Sequence, residues 1–580
     1  MKKTLLVLVM VLLAASMLFV GCKKGEAAAA AADDGKMEIS VFTIQQRNQP
    51  PADNKIYKWI EEKFGVTFKW DILVGDKDQK IGVMIASGDL PDLVEVDSEK
   101  FQGAGLLIDI KPLVEKYCPN IMSHYANVWK QMIYQDSEKD AEGNITVEHL
   151  YSLPNYGVIS GADSGTYYNQ NAFWIQKCVL KEFGYPTIKT VDEFFDLIEA
   201  YAKKYPTIDG MPTIPFHIMT YDWEAFNLWN TPNFLAGYPN DGNGHVTWDA
   251  AQGKYIYEDN FIDANAYRWF KLANGYYKRG LIDPESWTDN SDQWKAKLTQ
   301  GRILGEFSQG WEWMGDIESH HQTAGMWERT YAPLPIVFDE SITPHYKDES
   351  LPNLQRGYGF SVKSGEEKAI KILKFLDTML EPENSKVLEW GIEGEDYYID
   401  TDGSVTGAAG RPYRTQEQRD QQADPAWQEK NKATLFREEA PKWEGSYPDG
   451  FYTSMDAQPW EYMLTQKPED VELWNAYGVS SYVGLVTPVV IHNSGWYPMW
   501  QCNPAAENGG FEGEAALAMT GFETIQKKLL PQAIMAKTDA EFEAIWADFC
   551  AQMKPLTEVY NEFMQQELDA RVKNFGGEVK

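Results

Sequence analysis

The hydrophobic period of the chain switches back and forth between two and 3.6 residues from Met37 onward, and this switching restricts the fold more than any other feature. Met37–Thr43 alternates as a half-buried strand does. Asp53–Phe64 then sets Ile56, Trp59, Ile60 and Phe64 on one helical face and stops at Gly65. Val66–Leu73 alternates again, Lys80–Ala86 reads as a helix, SGDLP (Ser87–Pro91) breaks it, and Asp92–Val96 is a short strand. Strands separated by helices at such intervals predict an α/β sheet with crossover connections. The same grammar returns further on. Thr166–Asn169 reads as a strand and Asn171–Phe183 as a helix, and Thr190 with Glu193 three residues later forms a capping box for a helix to Lys203. Strands are expected at Ile303–Phe307 and Gly357–Val362, and an amphipathic helix at Glu366–Leu380. Beyond Asn384 the chain reads as mostly helical with aromatic-rich loops, and no repeat of fixed period occurs.

Length and charge exclude several classes. With 580 residues the chain exceeds the roughly 250–300 residues at which one core stops growing, so two sizeable lobes are expected. Lys plus Arg number 53 against 86 Asp plus Glu, a net charge of −33 that repels phosphate backbones and argues against nucleic-acid binding. Cys118, Cys178, Cys502 and Cys550 show no C-x-x-C spacing and no histidines at zinc-finger intervals. Four cysteines in so long a chain make no disulfide framework, and buried free thiols suit them at least as well. There is no G-x-S-x-G elbow, H-E-x-x-H pair or phosphate loop. The 21 tryptophans and 31 tyrosines exceed what a core requires.

The first 36 residues are set apart. Lys2 and Lys3 precede an uncharged apolar run, Leu5–Val20, which ends in Gly21 and Cys22 before the chain turns polar. A basic head, a short apolar stretch and small residues at its end describe a secretory signal. The run is shorter than the about 20 residues that span a bilayer comfortably. LFVGC (Leu18–Cys22) resembles a bacterial lipobox, in which the cysteine is diacylated and becomes the new N-terminus; Phe19 departs from the usual leucine. An ordinary signal with an incidental cysteine is the alternative. Residues 1–21 are thus read as the signal, and 22–36 as a tether, lipidated at Cys22, that includes the alanine run Ala27–Ala32.

The order of several segments carries a family resemblance. They are the lipobox; the strand–helix–strand opening; ASGDLPDLV (Ala86–Val94); Tyr168 and Asn169 before a helix; the capped helix at Thr190; GRILG (Gly301–Gly305) leading to Trp311; APLP (Ala332–Pro335); GFSV (Gly359–Val362) before a helix; and WGIEGEDY (Trp390–Tyr397). In that order the chain resembles the bacterial extracellular solute-binding proteins of family 1, which serve carbohydrate-type ABC importers, and most closely their larger, LipO-like lipoprotein members. The resemblance implies an α/β, two-lobed periplasmic-binding-protein-like fold of type II, its lobes joined by crossing hinge strands. It implies a first lobe from residues 37–165 and 331–385, and a second from 166–330 and a helical 386–580. It also implies a monomer that takes no cofactor, binds a small molecule of the sugar kind, and docks on ABC permease subunits while lipid-anchored outside the cytoplasm. Larger members often carry a calcium-like loop after the helix that here ends near Lys204. Tyr205–Pro212 offers only Asp209, too few oxygens for calcium, so no metal is expected. Asn240–Gly244 looks superficially like such a loop, but its setting reads as a hairpin turn.

Sugars present C–H faces and rings of hydroxyls, so their sites combine aromatic plates with planar polar side chains. Loops at the carboxyl ends of strands are where α/β sheets place ligands. Four segments qualify. Gln46 and Arg47 follow the first strand, and an ordinary polar loop is their alternative. Asp97, Glu99 and Lys100 follow the third, with surface ion pairing as the alternative. Trp311 and Trp313 follow a strand, and alternation along an extended chain would put both on one side; a core role for one of them is the competing reading. Trp223 lies in a comparable loop, with helical packing as its competitor. Tyr358, Trp496 and Trp500 are weaker candidates. An exported glycan hydrolase, a glycan-holding surface lipoprotein and a carrier of peptides or other polar solutes stay open beside the importer reading.

Overall fold

The computed structural model describes residues 36–575 except 46, 96–97, 141–142, 157–164, 240–242, 349–352, 491–494 and 505–509, so the signal segment and Cys22 lie outside the described residues. Nine strands carry the two main sheets: β1 Met37–Thr43, β2 Val66–Ile72, β3 Leu93–Glu95, β4 Ser152–Tyr156, β5 Asn171–Gln176, β6 Ile214–His217, β7 Ile303–Gln309, β8 Tyr331–Leu334 and β9 Asn353–Phe360. The opening alternation becomes a parallel unit, with β1 paired along its length to β2 and at its carboxyl end to β3. The first crossover helix, Lys55–Phe64, starts where the Asn54 side chain accepts from the Ile56 and Tyr57 amides, and stops where Gly65 turns left-handed at φ 67°. It buries Ile56 and Ile60 against the sheet. The full order of this sheet is β2-β1-β3-β9-β4, with β9 antiparallel to both neighbours.

The second sheet has the order β6-β7-β5-β8, with β6 and β7 parallel and β5 antiparallel to its two partners. Here the expected helix at Asn171–Phe183 is corrected. Asn171–Gln176 is a strand with every residue buried, and helix begins only at Lys177. A strand covered on both faces is uniformly apolar, so its sequence lacks the period that separates it from a buried helix. Thr190 and Glu193 form the expected capping box on the helix Val191–Lys204. The segment after that helix is a hairpin, Thr207–Ile208 against Met211–Pro212, turning through Asp209 and Gly210 at φ 50° and 81°.

Each sheet has its own core. The first gathers β1, β3, the helix Gly365–Met379 and residues from Leu388 to Ala440; the second gathers β5–β8 and residues from Leu473 to Leu568. Residues 386–455 therefore pack with the first lobe and not, as expected, with the second. Phe436 shows why, closing on Phe68 at 5.1 Å and on Phe375 at 5.7 Å between ring centroids. A short helix burying Leu435 and Phe436 suits either core by composition, and only the tertiary contacts assign it. The second lobe is completed by a long helical pair, Gly510–Met535 and Asp539–Phe575, laid on the helix Ala264–Lys278.

Followed through the described residues, the chain changes lobe three times. Near the crossings the Tyr168 hydroxyl donates to the Tyr346 carbonyl at 2.9 Å, and Lys347–Asp348 pairs in parallel with Val489–Val490. The last helix also reaches the first lobe, where Phe575 meets Tyr134 edge-on at 5.2 Å and Lys573 donates to Asn144 at 2.6 Å. Among the described residues no helix is long and apolar enough to cross a membrane. Among the described residues Cys118, Cys178, Cys502 and Cys550 form no disulfide.

Candidate functional site

Because β6 and β7 are adjacent and parallel, the loops leaving their carboxyl ends are neighbours. At the end of β7 the chain reaches Gly310, where a Cβ would lie 2.4 Å from the Met314 sulfur and 2.7 Å from the Trp174 ring. It turns there into a short 3₁₀ segment, Gly310–Glu312. Beyond β6 a second 3₁₀ turn, Asp222–Ala225, opens on Asp222 at φ 47°. Each turn delivers one tryptophan. Trp223 and Trp311 lie 5.6 Å apart and only 4° from parallel, with about half of each still exposed (50% and 51%). Phe226 extends the row behind Trp223 at 6.3 Å, and Tyr221 and Tyr167 are exposed large aromatics on the flanking segments. The Trp311 amide donates to the Asn169 carbonyl at 2.9 Å and its indole to the Gln309 side chain, while Lys527 donates to the Asp222 carbonyl at 2.8 Å.

Trp313 is not part of this plate, which corrects the expectation of two tryptophans on one side. A 3₁₀ turn rotates about 120° per residue, so the side chain two positions on points the other way. Trp313 is 2% exposed; its indole donates to the Ser308 hydroxyl at 2.9 Å and packs edge-on to Trp174 at 5.6 Å and Tyr331 at 4.9 Å.

Three buried carboxylates lie beneath the plate. Glu312 accepts from Asn227 at 3.0 Å and from the Gln309 amide at 3.2 Å, so one side chain ties the turn after β7 to the helix Phe226–Leu235 that follows the other turn. Glu224 accepts from Ser291 at 2.7 Å. Glu306 accepts from the Trp294 indole at 2.9 Å and the Ser308 hydroxyl at 3.0 Å. Burial pushes all three carboxyls up, Glu306 to about 7 and Glu312 well above its ordinary value, with mutual repulsion adding to the effect. Glu312 alone of the three bridges the two turns, and all three side chains are buried.

A second network anchors the approach to Trp223. Lys297 is buried and donates to Asp283 at 2.8 Å and Asp289 at 2.5 Å, and His217 contacts Asp289 at 3.1 Å. Ser286, in the same loop, accepts the Ile218 amide at 3.1 Å on its hydroxyl and the Thr220 hydroxyl at 2.6 Å on its carbonyl. His217, Asp283 and Asp289 offer donor atoms within 4.8 Å of one another, a metal-like set. The Lys297 ammonium sits on both carboxylates and supplies the positive charge a metal would bring. Burial opposes its charge, yet the hydrogen bonds to Asp283, Asp289 and Glu285 outweigh it and raise Lys297.

Of the expected first-lobe residues, Arg47 and Lys100 are held in ion pairs. Arg47 donates to Glu438, at 2.9 Å from Nε, and Gln45 donates to the buried Glu439 at 3.0 Å. Lys100 pairs with Asp78 at 2.9 Å on the exposed face of the lobe. Glu99 lies in the short helix Ser98–Gly103. Gln46 and Asp97 lie outside the described residues. Of the weaker candidates, Tyr358 and Trp496 are buried core residues. Sequence reasoning missed Glu306 and Asn227. The signal for Glu306 was present, as an acid between the apolar residues Leu304 and Phe307 of the ILGEFSQ strand; Asn227 had none.

The comparisons with known proteins agree with this architecture. The fructooligosaccharide ABC transporter substrate-binding protein FusA of Streptococcus pneumoniae serotype 4 (strain ATCC BAA-334 / TIGR4) is 23% identical over 400 residues, 63% of this chain and 67% of that protein. The polygalacturonan/rhamnogalacturonan-binding protein YtcQ of Bacillus subtilis (strain 168) is 22% identical over 294 residues, covering 48% of this chain and 52% of its own length. The crystal structure of the alginate-binding protein AlgQ2 without calcium ion superposes with a TM-score of 0.59 over 93% of this chain and 98% of that one, at 15% identity. That likeness is one of fold, the two-lobed arrangement of solute-binding proteins. Residues 55–389, more than half of the sequence, match the bacterial extracellular solute-binding protein family, and the chain belongs to that family.

Proposed function

We propose that this protein is the substrate-binding lipoprotein of an ABC importer and captures a carbohydrate, of oligosaccharide size, by closing its lobes. The observation that carries the reading is the half-exposed Trp223–Trp311 pair, held at the carboxyl ends of two parallel strands by buried hydrogen bonds. Such a plate offers apolar area to the C–H face of a sugar ring while the loops around it supply polar partners. The relatives named for binding fructooligosaccharide and polygalacturonan support the same class of ligand. On the first lobe, Gln46, Arg47, Asp97, Glu99 and Lys100 follow the ends of β1 and β3 and are the proposed polar contacts. Closure follows if ligand contacts both lobes, because a ligand shifts an open–closed equilibrium only by its differential affinity for the closed form.

Binding without chemistry is part of the proposal. Glu224, Glu306 and Glu312 are buried and hydrogen-bonded beneath the plate, a placement that supports a structural role over the solvent-facing carboxylate pair of a hydrolase. Lipidation at Cys22, a monomeric state and docking on permease subunits complete it. The test is a thermal-shift and calorimetric screen of the mature protein against neutral fructo-, gluco- and galacto-oligosaccharides, with chromatography of the recovered sugar. Stabilisation by an intact sugar, weakened in Trp311→Ala, is expected. Cleaved sugar, or a binding constant indifferent to both Trp311→Ala and Trp223→Ala, would overturn the proposal.

A further inference from the structure

A cavity of about 740 Å³ lies in the first lobe, lined by none of the residues of the tryptophan plate. Its volume is in the range of ligand pockets, about 300–1,000 Å³. The rim starts at Arg47, just past the carboxyl end of β1, and Leu388, Leu435 and Met455 give it apolar patches. Four cations, Arg47, Arg414, Lys432 and Arg437, line it together with four carboxylates, Glu389, Glu429, Glu438 and Asp456. The cations are not equally engaged. Arg414 is held by Asp456, by Gln422 at 3.3 Å and by Glu461. Arg437 donates only from Nε, to Glu389 at 2.6 Å, and leaves 40% of its side chain open. Its two terminal amino groups have no hydrogen-bond partner among the described residues. Lys432 donates to the Glu389 carbonyl oxygen at 2.8 Å and contacts no carboxylate among the described residues. An ammonium carries three donors and a guanidinium five, so most of the donor capacity of these two side chains is uncommitted. Burial depresses Lys432 to about 8, with Glu389 and Asp396 opposing the fall and Arg437 and Arg414 adding to it, while Glu389, Glu438 and Glu444 raise Arg437.

We propose that this cavity is a carboxylate-binding subsite, in which the acid group of a sugar acid or of a small organic acid is received on the open fork of Arg437 with Lys432 beside it. The planar guanidinium edge matches a carboxylate in bidentate fashion, and the ammonium adds a point charge. In its sugar-acid form the inference rests on the carbohydrate reading and narrows it to acidic oligosaccharides; in its organic-acid form it stands apart.

The experiment uses the mature chain in isothermal titration at about 0.15 M salt, where screening is effective beyond about 8 Å. The probes are trigalacturonate, the matching neutral galactotriose, and citrate. The expected result is that an acidic probe binds, and that Arg437→Gln and Lys432→Met each weaken it at least roughly tenfold, an effect of about 1.4 kcal/mol. Arg437→Lys, which keeps the charge but not the fork, should restore only part of the loss. Binding of a neutral oligosaccharide found in the screen should be unchanged in these variants. Trigalacturonate without citrate identifies a sugar acid, and citrate binding that persists in Trp311→Ala identifies a free acid. If Arg437→Gln unfolds, Lys432→Met gives the same readout, because burial opposes the Lys432 charge and its removal lifts that penalty. Failure of both acidic probes, or equal affinity in wild type and both variants, overturns the inference. Neutral-sugar binding that depends on Trp311 would then leave the carbohydrate reading standing; its absence as well would remove both.

Discussion

Two tryptophans two residues apart have opposite fates. Trp311→Ala removes one half-exposed plate and is expected to weaken sugar binding by about 2 kcal/mol, roughly 30-fold, with little change in melting temperature. Trp313→Ala leaves a hole beside Trp174 and Tyr331 and should destabilise the second lobe by about 3–5 kcal/mol, read by chemical denaturation. Glu306 yields a pH prediction. Its carboxyl is raised from 4.5 to about 7, so the folded form holds its proton where the unfolded chain releases it. Its contribution is fully present below the unfolded value and is lost as pH rises through about 7. The second lobe should therefore be more stable at pH 5 than at pH 8, by up to an order of about 3 kcal/mol from this group. Glu306→Gln should flatten that difference in denaturation curves at the two pH values; an unchanged slope would show that Glu306 does not titrate there. The residue types at the plate were legible in the sequence, since exposed-loop tryptophans after strands are conspicuous. Which of them faced outward was not, because a 3₁₀ turn and a strand differ by one backbone rotation that GWEW does not encode locally.

At the scale of elements, the loop Asp283–Asp289 decides how β6 leads into Trp223. Lys297→Met leaves two buried aspartates without their cation and should cost about 3–5 kcal/mol. It should also raise amide exchange over residues 218–224, because Ser286 would no longer brace Ile218 and Thr220. Exchange increased only around residue 297 would separate stability from positioning. Since Lys297 already neutralises the cluster of His217, Asp283 and Asp289, a chelator should leave the melting temperature of the wild-type protein unchanged. Most amphipathic helices and their caps were legible, as Asn54, Gly65 and the Thr190–Glu193 box show. The strand Asn171–Gln176 was not, because burial on both faces erases the period that marks a strand.

For the whole molecule, two separate cores joined by three crossings predict that the lobes move as bodies. A saturating oligosaccharide identified in the screen should reduce the radius of gyration in small-angle scattering, and Trp311→Ala at the same concentration should not. Stabilisation without compaction would favour a glycan-holding protein that does not close. The sequence by itself determined the α/β alternation, the two-lobe size, the strongly acidic charge and the wealth of aromatic side chains. All of these follow from local period, length, charge and residue type, which need no knowledge of distant neighbours. Tertiary structure alone decided that residues 386–455 complete the first lobe, that Trp223 meets Trp311 across 88 positions of sequence, that Trp313 turns inward, and that Arg437 and Lys432 share one cavity. Each of these depends on which segments pack together, and apolar burial, being non-directional, sets that choice by the fit of whole surfaces and not by any local pattern.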